Sequence, residues 1–352
     1  MAEKKVCILS LGRRGGSVRY ATAIIDQLER PYDVYVSKFC TEPRPQKAKT
    51  ILTYRNSFEF VLVSLFWLPI FWFTLVGKLI RGRYTALYLP YTHYWNILFI
   101  QTFRLFGLKT VATIHDGIPH SGDGNFWERY SNRFSVRKAG HLVFLTQFVH
   151  DLVQEKIGFK AQASVIPHGL LHPKGINFNL RSFPEKAKLL FFGRVGHYKG
   201  VDLLIEAIQQ VDPNLFEELI IAGDHLSSVN FKADYPKVTW IKKWLSEAEM
   251  VDLINQSDVL VLPYREATQS GVITIGISAA LPMICTRSGG IPEQLNEDEA
   301  LFVEPDPKSI QNGIENLLKS PELYARMVKK LAQKRENSDW RQIAASISKL
   351  LG

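Results

Sequence analysis

The chain has 352 residues, 46% of them hydrophobic and 22% charged, which excludes a disordered or low-complexity protein and suits two medium domains or one large one. Its three cysteines, Cys7, Cys40 and Cys285, have no close spacing, which argues against a disulfide framework or a structural zinc site and favours a reducing compartment. The net charge of +9 is uneven: residues 1–170 hold 22 basic and 11 acidic side chains and residues 171–352 hold 21 and 23, so the first half points to an anionic membrane leaflet or nucleic acid, with a solvated basic face as the plain alternative.

The N-terminal MAEKKVCILSLG predicts a short strand running into glycines, with an apolar run too short for a signal peptide. Further strands are predicted at Val34–Val36, Ala86–Leu89, Val111–Ile114, Leu142–Leu145, Leu189–Phe192, Leu219–Ala222, Val259–Leu262 and Pro282–Cys285, separated by helical patterns. Strand and helix alternating throughout predict parallel sheets with crossover helices, buried on both faces. Pro167–Arg181 is rich in Pro, Gly, Asn and His and reads as a linker. It divides the chain into residues 1–175 and 176–335, and the final helical pattern, including 336–352, can cover either domain.

Between two strands assigned to one sheet, Phe60–Val76 runs for seventeen uncharged residues, six of them Phe or Trp. A membrane span is rejected, because it would part that sheet across a bilayer, and the run also holds Pro69 and falls short of about twenty residues. A buried crossover helix and a helix lying in the membrane interface remain. The flanking Arg55, Lys78, Arg81 and Arg83 favour the interface, with Phe66, Trp67, Phe71 and Trp72 facing lipid.

In the second half, LLFFGRVGHYKGVDLLIEAI (189–208) ends a buried strand in Gly193 and Arg194, and a short loop leads to Lys199 and a helix. Two cations at the C-terminal edge of a parallel strand, with glycines that let backbone come close, suit a diphosphate. In VLVLPYREATQSGVITIGISAALP (259–282), Glu266 stands in a loop and Ser270, Gly271 and Val272 open a helix whose amides suit an anion. TRSGGIPE (286–293) then supplies a tight glycine turn.

This ordered series resembles the C-terminal domain of glycosyltransferase family 4, retaining enzymes of the GT-B fold. The resemblance extends to LGRRGGS, whose Gly15 and Gly16 are similar to the glycine-rich donor loop, to VATIHDGIPH, and to the hinge-like SVIPHGL. It implies an α/β chain of two doubly wound, Rossmann-like domains facing across a cleft. It also implies transfer from a nucleoside-diphosphate sugar with the anomeric configuration kept, no bound metal and no other cofactor. His115 would bond the donor sugar, Asp116 would orient it or meet the acceptor, and Arg194, Lys199 and the amides near Gly271 would hold the departing diphosphate. The family's second glutamate is replaced by Ile275, which leaves ribose recognition to Glu293 or other groups. Lys242, between Trp240 and Trp244, is a candidate for the nucleobase.

His115, Asp116, His120 and Asp123 could imitate a metal cluster, but no further ligands lie nearby in sequence. Tyr91, His93, Tyr94 and Trp95 fit either an acceptor cleft or a packed helix start. The resulting expectation is a cytoplasmic glycosyltransferase, peripheral on the inner face of the cell membrane, acting on a lipid-linked or otherwise membrane-held saccharide. A catalytically silent partner subunit and a sugar-nucleotide epimerase are the alternatives. Nucleic acid ranks last as a partner, because no recognised motif accompanies the bases.

Overall fold

A computed structural model describes residues 4–118, 126–225 and 235–352. The described residues form two compact units, one comprising the chain up to Gly169 together with Asp339–Gly352, the other Leu170–Ser338.

The first unit is built on a seven-stranded parallel sheet. Its strands are β1 (Lys5–Ser10), β2 (Tyr32–Ser37), β3 (Ala48–Ile51), β4 (Tyr84–Leu89), β5 (Lys109–Ile114), β6 (His141–Phe144) and β7 (Gln162–Val165), in the order β3-β2-β1-β4-β5-β6-β7. Alternation along β1 shows why the strands are almost wholly apolar. Val6 and Ile8 join one core with Tyr20, Ile24, Ala344 and Ile347, while Cys7 and Leu9 join the opposite core with Leu75, Phe99 and Phe144. Both faces are covered, so both sets of side chains must be apolar. The helix Trp340–Leu350 packs on this unit, where Arg30 bonds the carbonyls of Ser348 at 2.9 Å and Gly352 at 2.5 Å.

The second unit has six parallel strands: β8 (Ala187–Phe192), β9 (Phe216–Ala222), β10 (Val238–Ile241), β11 (Val259–Leu262), β12 (Met283–Thr286) and β13 (Ala300–Val303). Their order is β10-β9-β8-β11-β12-β13. The order reverses between β8 and β11, and the strand ends at such a reversal leave a crevice where ligands bind in doubly wound sheets.

The segment read as a linker is fastened along the second unit. Leu170, Leu171 and Ile176 are buried, the Ser278 hydroxyl bonds the Leu171 carbonyl at 2.7 Å, and the Arg181 guanidinium donates to the carbonyls of Ile254, Ser257 and Ala279.

The apolar segment lies in a continuous helix, Ser57–Ile80. β3 and β4, on either side of it in sequence, belong to the same sheet; at 24 residues the helix is longer than the expected seventeen-residue run and, by length and composition alone, long and apolar enough to cross a membrane. Pro69 has no N–H to complete a helical bond, and Val63–Trp67 just before it widens to a π turn that absorbs the defect. Leu68, Phe71, Leu75 and Leu79 face the core.

Candidate functional site

The second unit assembles the sequence motifs at the ends of β8 and β11. After β8 the chain turns through Gly193 at φ +130°, a conformation side chains disfavour, and a Cβ there would stand 3.6 Å from Val272. That contact brings the Gly193–Arg194 turn against the start of the helix Gly271–Ser278. Arg194 is exposed. The chain then makes one 3₁₀ turn, His197–Lys199, and reaches Gly200 at φ +63°. A Cβ on Gly200 would fall 1.9 Å from the Pro263 carbonyl oxygen, so only glycine lets the Lys199 turn pack on the end of β11.

The result places the Lys199 ammonium 3.5 Å from the centroid of the Tyr264 ring, a cation–π contact worth roughly 0.5–2 kcal/mol. Tyr264 is fully buried and its hydroxyl lies 3.4 Å from Ser270 Oγ. Lys199, Tyr264 and Ser270 therefore form one continuous wall.

Around that wall the loops are tightly held. Arg265 forks both carboxylate oxygens of Asp202 at 2.6 Å. Burial works to raise the Asp202 carboxyl, but the bonds and charge of Arg265 outweigh it and the net shift is downward. The backbone N–H groups of Arg265 and Glu266 both donate to the Tyr198 carbonyl, which fixes Glu266 half-buried beside the Lys199 turn. Gln294 accepts from the Ser270 N–H at 2.7 Å and donates to the Ser270 carbonyl at 3.2 Å. Among the described residues no side chain caps the helix at Gly271–Val272, and no acidic residue lies in its first turn, so its amides and dipole favour an anion.

Of the two candidate nucleoside residues, Glu293 precedes Gln294 on the helix that meets Ser270, and Lys242 follows β10. Glu293 is exposed on the short helix Ile291–Gln294. Lys242 is exposed, 5.2 Å from the Trp240 ring, which meets His225 at 5.5 Å. Ile275, standing where the family has its second glutamate, is 5% exposed.

In the first unit the order reverses between β1 and β4, and Tyr91 joins the two strand ends. Its hydroxyl accepts from the Gly12 N–H at 2.7 Å and pairs with Ser10 Oγ at 2.9 Å. Gly15, at φ +104°, precedes the helix Gly16–Asp26, but its N–H donates to Glu42 Oε1 at 2.9 Å. Glu42 Oε2 also accepts from Arg19 at 2.7 Å. The chain's own carboxylate thus holds the Gly15 amide, while Gly16 borders open space.

His115 is 6% exposed, with its ring edge-on to Tyr20 at 4.8 Å. Its Nε2 lies 2.9 Å from the Pro90 carbonyl, which can only accept, so Nε2 carries the proton and Nδ1 offers a lone pair. Nδ1 is buried and has no hydrogen-bond partner among the described residues. Burial lowers the pKa, keeping the ring neutral. His115 is therefore built to accept a hydrogen bond. Asp116 is exposed, and its carbonyl receives Asn132 Nδ2 at 3.3 Å. His120 and Asp123 lie outside the described residues. Tyr91 and Trp95 are packed, whereas His93 and Tyr94 are half-buried.

The apolar helix corrects the expected lipid-facing set. Phe71 is 9% exposed and packs on Tyr35 and Phe99 at 5.1 and 5.8 Å. Trp72 is half-buried, with its indole N–H bonded to Thr102 Oγ1 at 2.8 Å. Helical periodicity puts these two on the sheet side. The outward face consists of Phe58, Val61, Leu65, Phe66, Ile70 and Phe73, each more than half exposed, with Trp67 at its edge. Among the expected flanking bases, Arg55 pairs with Glu59 and Lys78 bonds the Tyr35 hydroxyl, while Arg81 and Arg83 are exposed.

Tyr264, Gln294 and Glu42 were missed as site residues by sequence reasoning. Tyr264 had a signal, since it lies inside the quoted PYRE motif; Gln294 and Glu42 act on segments distant in sequence and had none.

Comparison with known proteins shows the family and the fold. Residues 14–170 match the family described as Glycosyltransferase Family 4, and residues 186–320 match Glycosyl transferases group 1. The phosphatidylinositol N-acetylglucosaminyltransferase gpi3 subunit of Schizosaccharomyces pombe is 21% identical over 229 residues, 61% of this chain and 49% of that protein. The GDP-mannose:glycolipid 4-beta-D-mannosyltransferase of Xanthomonas campestris pv. campestris is 23% identical over 201 residues, 53% of this chain and 52% of that protein. The chain thus spans about half the length of these curated relatives. Among solved structures, Anabaena HepE in complex with UDP and glucose superposes with a TM-score of 0.71 at 16% identity, covering 99% of both chains.

Proposed function

The chain belongs to glycosyltransferase family 4, with the GT-B fold, and from that premise we propose that it is a retaining glycosyltransferase that moves a sugar from a nucleoside-diphosphate donor to a membrane-held, lipid-linked saccharide. The observation that carries the donor half is the Lys199–Tyr264–Ser270 wall beside an uncapped helix start. Bond breaking at the anomeric carbon shifts negative charge onto the diphosphate. A fixed ammonium, the neighbouring Arg194 and the amides at Gly271 and Val272 would stabilise that charge more in the transition state than in the ground state. In this proposal these groups do the work without a resident metal, and His115 accepts a hydroxyl of the donor sugar at Nδ1. The names of two relatives, one using GDP-mannose and glycolipid and one phosphatidylinositol, support a nucleotide-sugar donor and a lipid acceptor.

The membrane half rests on the outward face of Ser57–Ile80, which leaves Phe58, Leu65, Phe66 and Phe73 between 64% and 73% exposed. An apolar strip of this kind on a basic half-chain fits the interfacial zone of an anionic leaflet. On this reading the protein works on the cytoplasmic side, peripheral to the cell membrane.

Donor turnover tests the proposal: release of nucleoside diphosphate from a panel of UDP- and GDP-sugars in the presence of membrane lipid extract. Turnover lost in Lys199→Met is the expected result. Equal turnover by the wild type and Lys199→Met contradicts it.

A further inference from the structure

His115 offers Nδ1 as an acceptor, yet its single bond, from Nε2 to the Pro90 carbonyl, restrains only one corner of the ring. The torsion that turns an imidazole about its Cβ–Cγ bond is broad and two-fold, and half a turn replaces Nδ1 with Cδ2. Packed rings oppose that turn. Tyr20, fully buried on the helix Gly16–Asp26, meets His115 at 4.8 Å with the planes 86° apart, and His168 meets it at 6.4 Å and 81°. Two near-perpendicular neighbours hold a plane that one hydrogen bond leaves free to swing.

Neither neighbour stands by itself. Tyr20 also meets His168 at 5.0 Å and Trp340 at 5.8 Å, and His168 meets Trp340 at 5.9 Å. Four segments thus contribute one ring each: the first helix, the end of β5, the chain after β7 and the C-terminal helix. Trp340 is the outer member and reaches His115 through the other two. Its indole lies against the Gly169 backbone, where a Cβ would fall 2.5 Å from Trp340 Cε2, so the missing side chain at 169 admits the ring. His168 Nδ1 lies 2.6 Å from the Gly169 carbonyl, which can only accept, so His168 carries its proton on Nδ1, the opposite tautomer to His115.

The C-terminal helix is seated by other groups. Ala344, Ile347 and Leu351 are buried in the core of the first unit, and Arg30 bonds the carbonyls of Ser348 and Gly352. Trp340 is the first residue of that helix, just after the chain re-enters the first unit at Asp339, and it is only half-buried. These anchors hold the helix without the indole, which leaves the ring cluster as what Trp340 serves.

We propose that Trp340 is a positioning residue for His115: by closing the cluster around Tyr20 and His168, it keeps the imidazole in the one orientation that turns Nδ1 toward the donor sugar. The assignment rests on the glycosyltransferase reading, in which Nδ1 accepts a sugar hydroxyl, and adds to it a residue from the far end of the chain whose effect passes through two other rings.

The test uses the full chain labelled with nitrogen-15 at its nine histidines. Long-range nitrogen–proton NMR spectra at pH 7.5 separate the two neutral tautomers, and His115→Asn identifies the His115 signals. The wild type should show His115 as a single Nε2–H ring. Trp340→Leu should average its two nitrogen shifts, and so should Gly169→Ala, which pushes the same indole from the backbone side and serves if Trp340→Leu fails to fold. Release of nucleoside diphosphate should fall about tenfold or more in Trp340→Leu, the scale of misplacing one group at a reacting centre, and return to within about threefold of wild type in Trp340→Phe. Added to His115→Asn, Trp340→Leu should change turnover less than about twofold, because a positioning effect then has nothing left to act on. His115 shifts that neither variant moves, or a full tenfold loss in the His115→Asn background, overturns the proposal. Absence of turnover in the wild type counts against the glycosyltransferase reading, and the nitrogen shifts then decide the positioning claim by themselves.

Discussion

Lys199 stands over Tyr264 because Gly200 touches Pro263. The ammonium lies 3.5 Å from the ring centroid, and the Gly200 Cα faces the Pro263 carbonyl with no space for a side chain. A left-handed glycine one residue after the cation thus sets where its charge lies, at the reversal point of the second sheet. Gly200→Ala should therefore resemble Lys199→Met. Both should lower kcat by about 10²-fold or more, the scale of losing one preorganised charge-stabilising group. Steady-state kinetics with saturating donor would check this; a Gly200→Ala enzyme with normal kcat would separate the turn from the chemistry.

The two sides of the Ser57–Ile80 helix should respond oppositely to substitution. Phe66→Ser and Leu65→Ser alter exposed positions and should change stability within about 0.5 kcal/mol while weakening sedimentation with anionic vesicles. Phe71→Ala empties a site against Tyr35 and Phe99 and should cost about 3–5 kcal/mol. Thermal melts and vesicle sedimentation on the same variants give the comparison, and a stable Phe71→Ala protein that fails to sediment would reverse the assignment of faces.

Acid should unfold the first unit through its histidines. His168, whose ring meets Tyr20 and Trp340 at 5.0 and 5.9 Å, is pushed down to about 4 by burial, and burial with nearby Arg13 pushes His93 down to about 3, from an ordinary 6.5. Below 6.5 the unfolded chain binds protons that the folded chain refuses. The stability these groups contribute is therefore complete above pH 6.5 and is lost progressively as pH falls toward 4 and then 3. Melting temperatures from pH 7.5 to 4.5 should fall, and His168→Asn should flatten the slope. An unchanged slope would show that other groups dominate.

Glu42 should prove structural in its effect on the glycine loop. It accepts from Gly15 and Arg19 at 2.9 and 2.7 Å and its side chain is 5% exposed. Glu42→Ala leaves a partly buried amide and a guanidinium without this partner and should cost about 1–3 kcal/mol. Chemical denaturation measures it; a cost under about 0.5 kcal/mol would place the loop's stability elsewhere.

The nine strands expected from apolar runs are the interior strands of the two sheets. The four not anticipated, β3, β7, β10 and β13, are the four edges. An interior strand is buried on both faces and shows an apolar run, whereas AKTI and QASV are partly exposed and carry a mixed pattern. The same physics limited the reading of the site. Gly193, Arg194, Lys199 and Ser270–Val272 were legible because strand end, glycine and helix start are local signals. The division of Phe60–Val76 into a core face and an outer face was not, since a segment apolar all round gives no moment to orient it. Gln294 and Asn132 were silent because their partners are distant in sequence.

Calorimetric titration of the full chain with UDP and GDP, beside Lys199→Met, tests the central claim most directly. The wild type should bind one nucleoside diphosphate and the variant should lose at least tenfold in affinity, about 1.4 kcal/mol. Absence of any binding, or equal affinity in the two proteins, would contradict a diphosphate site at Lys199.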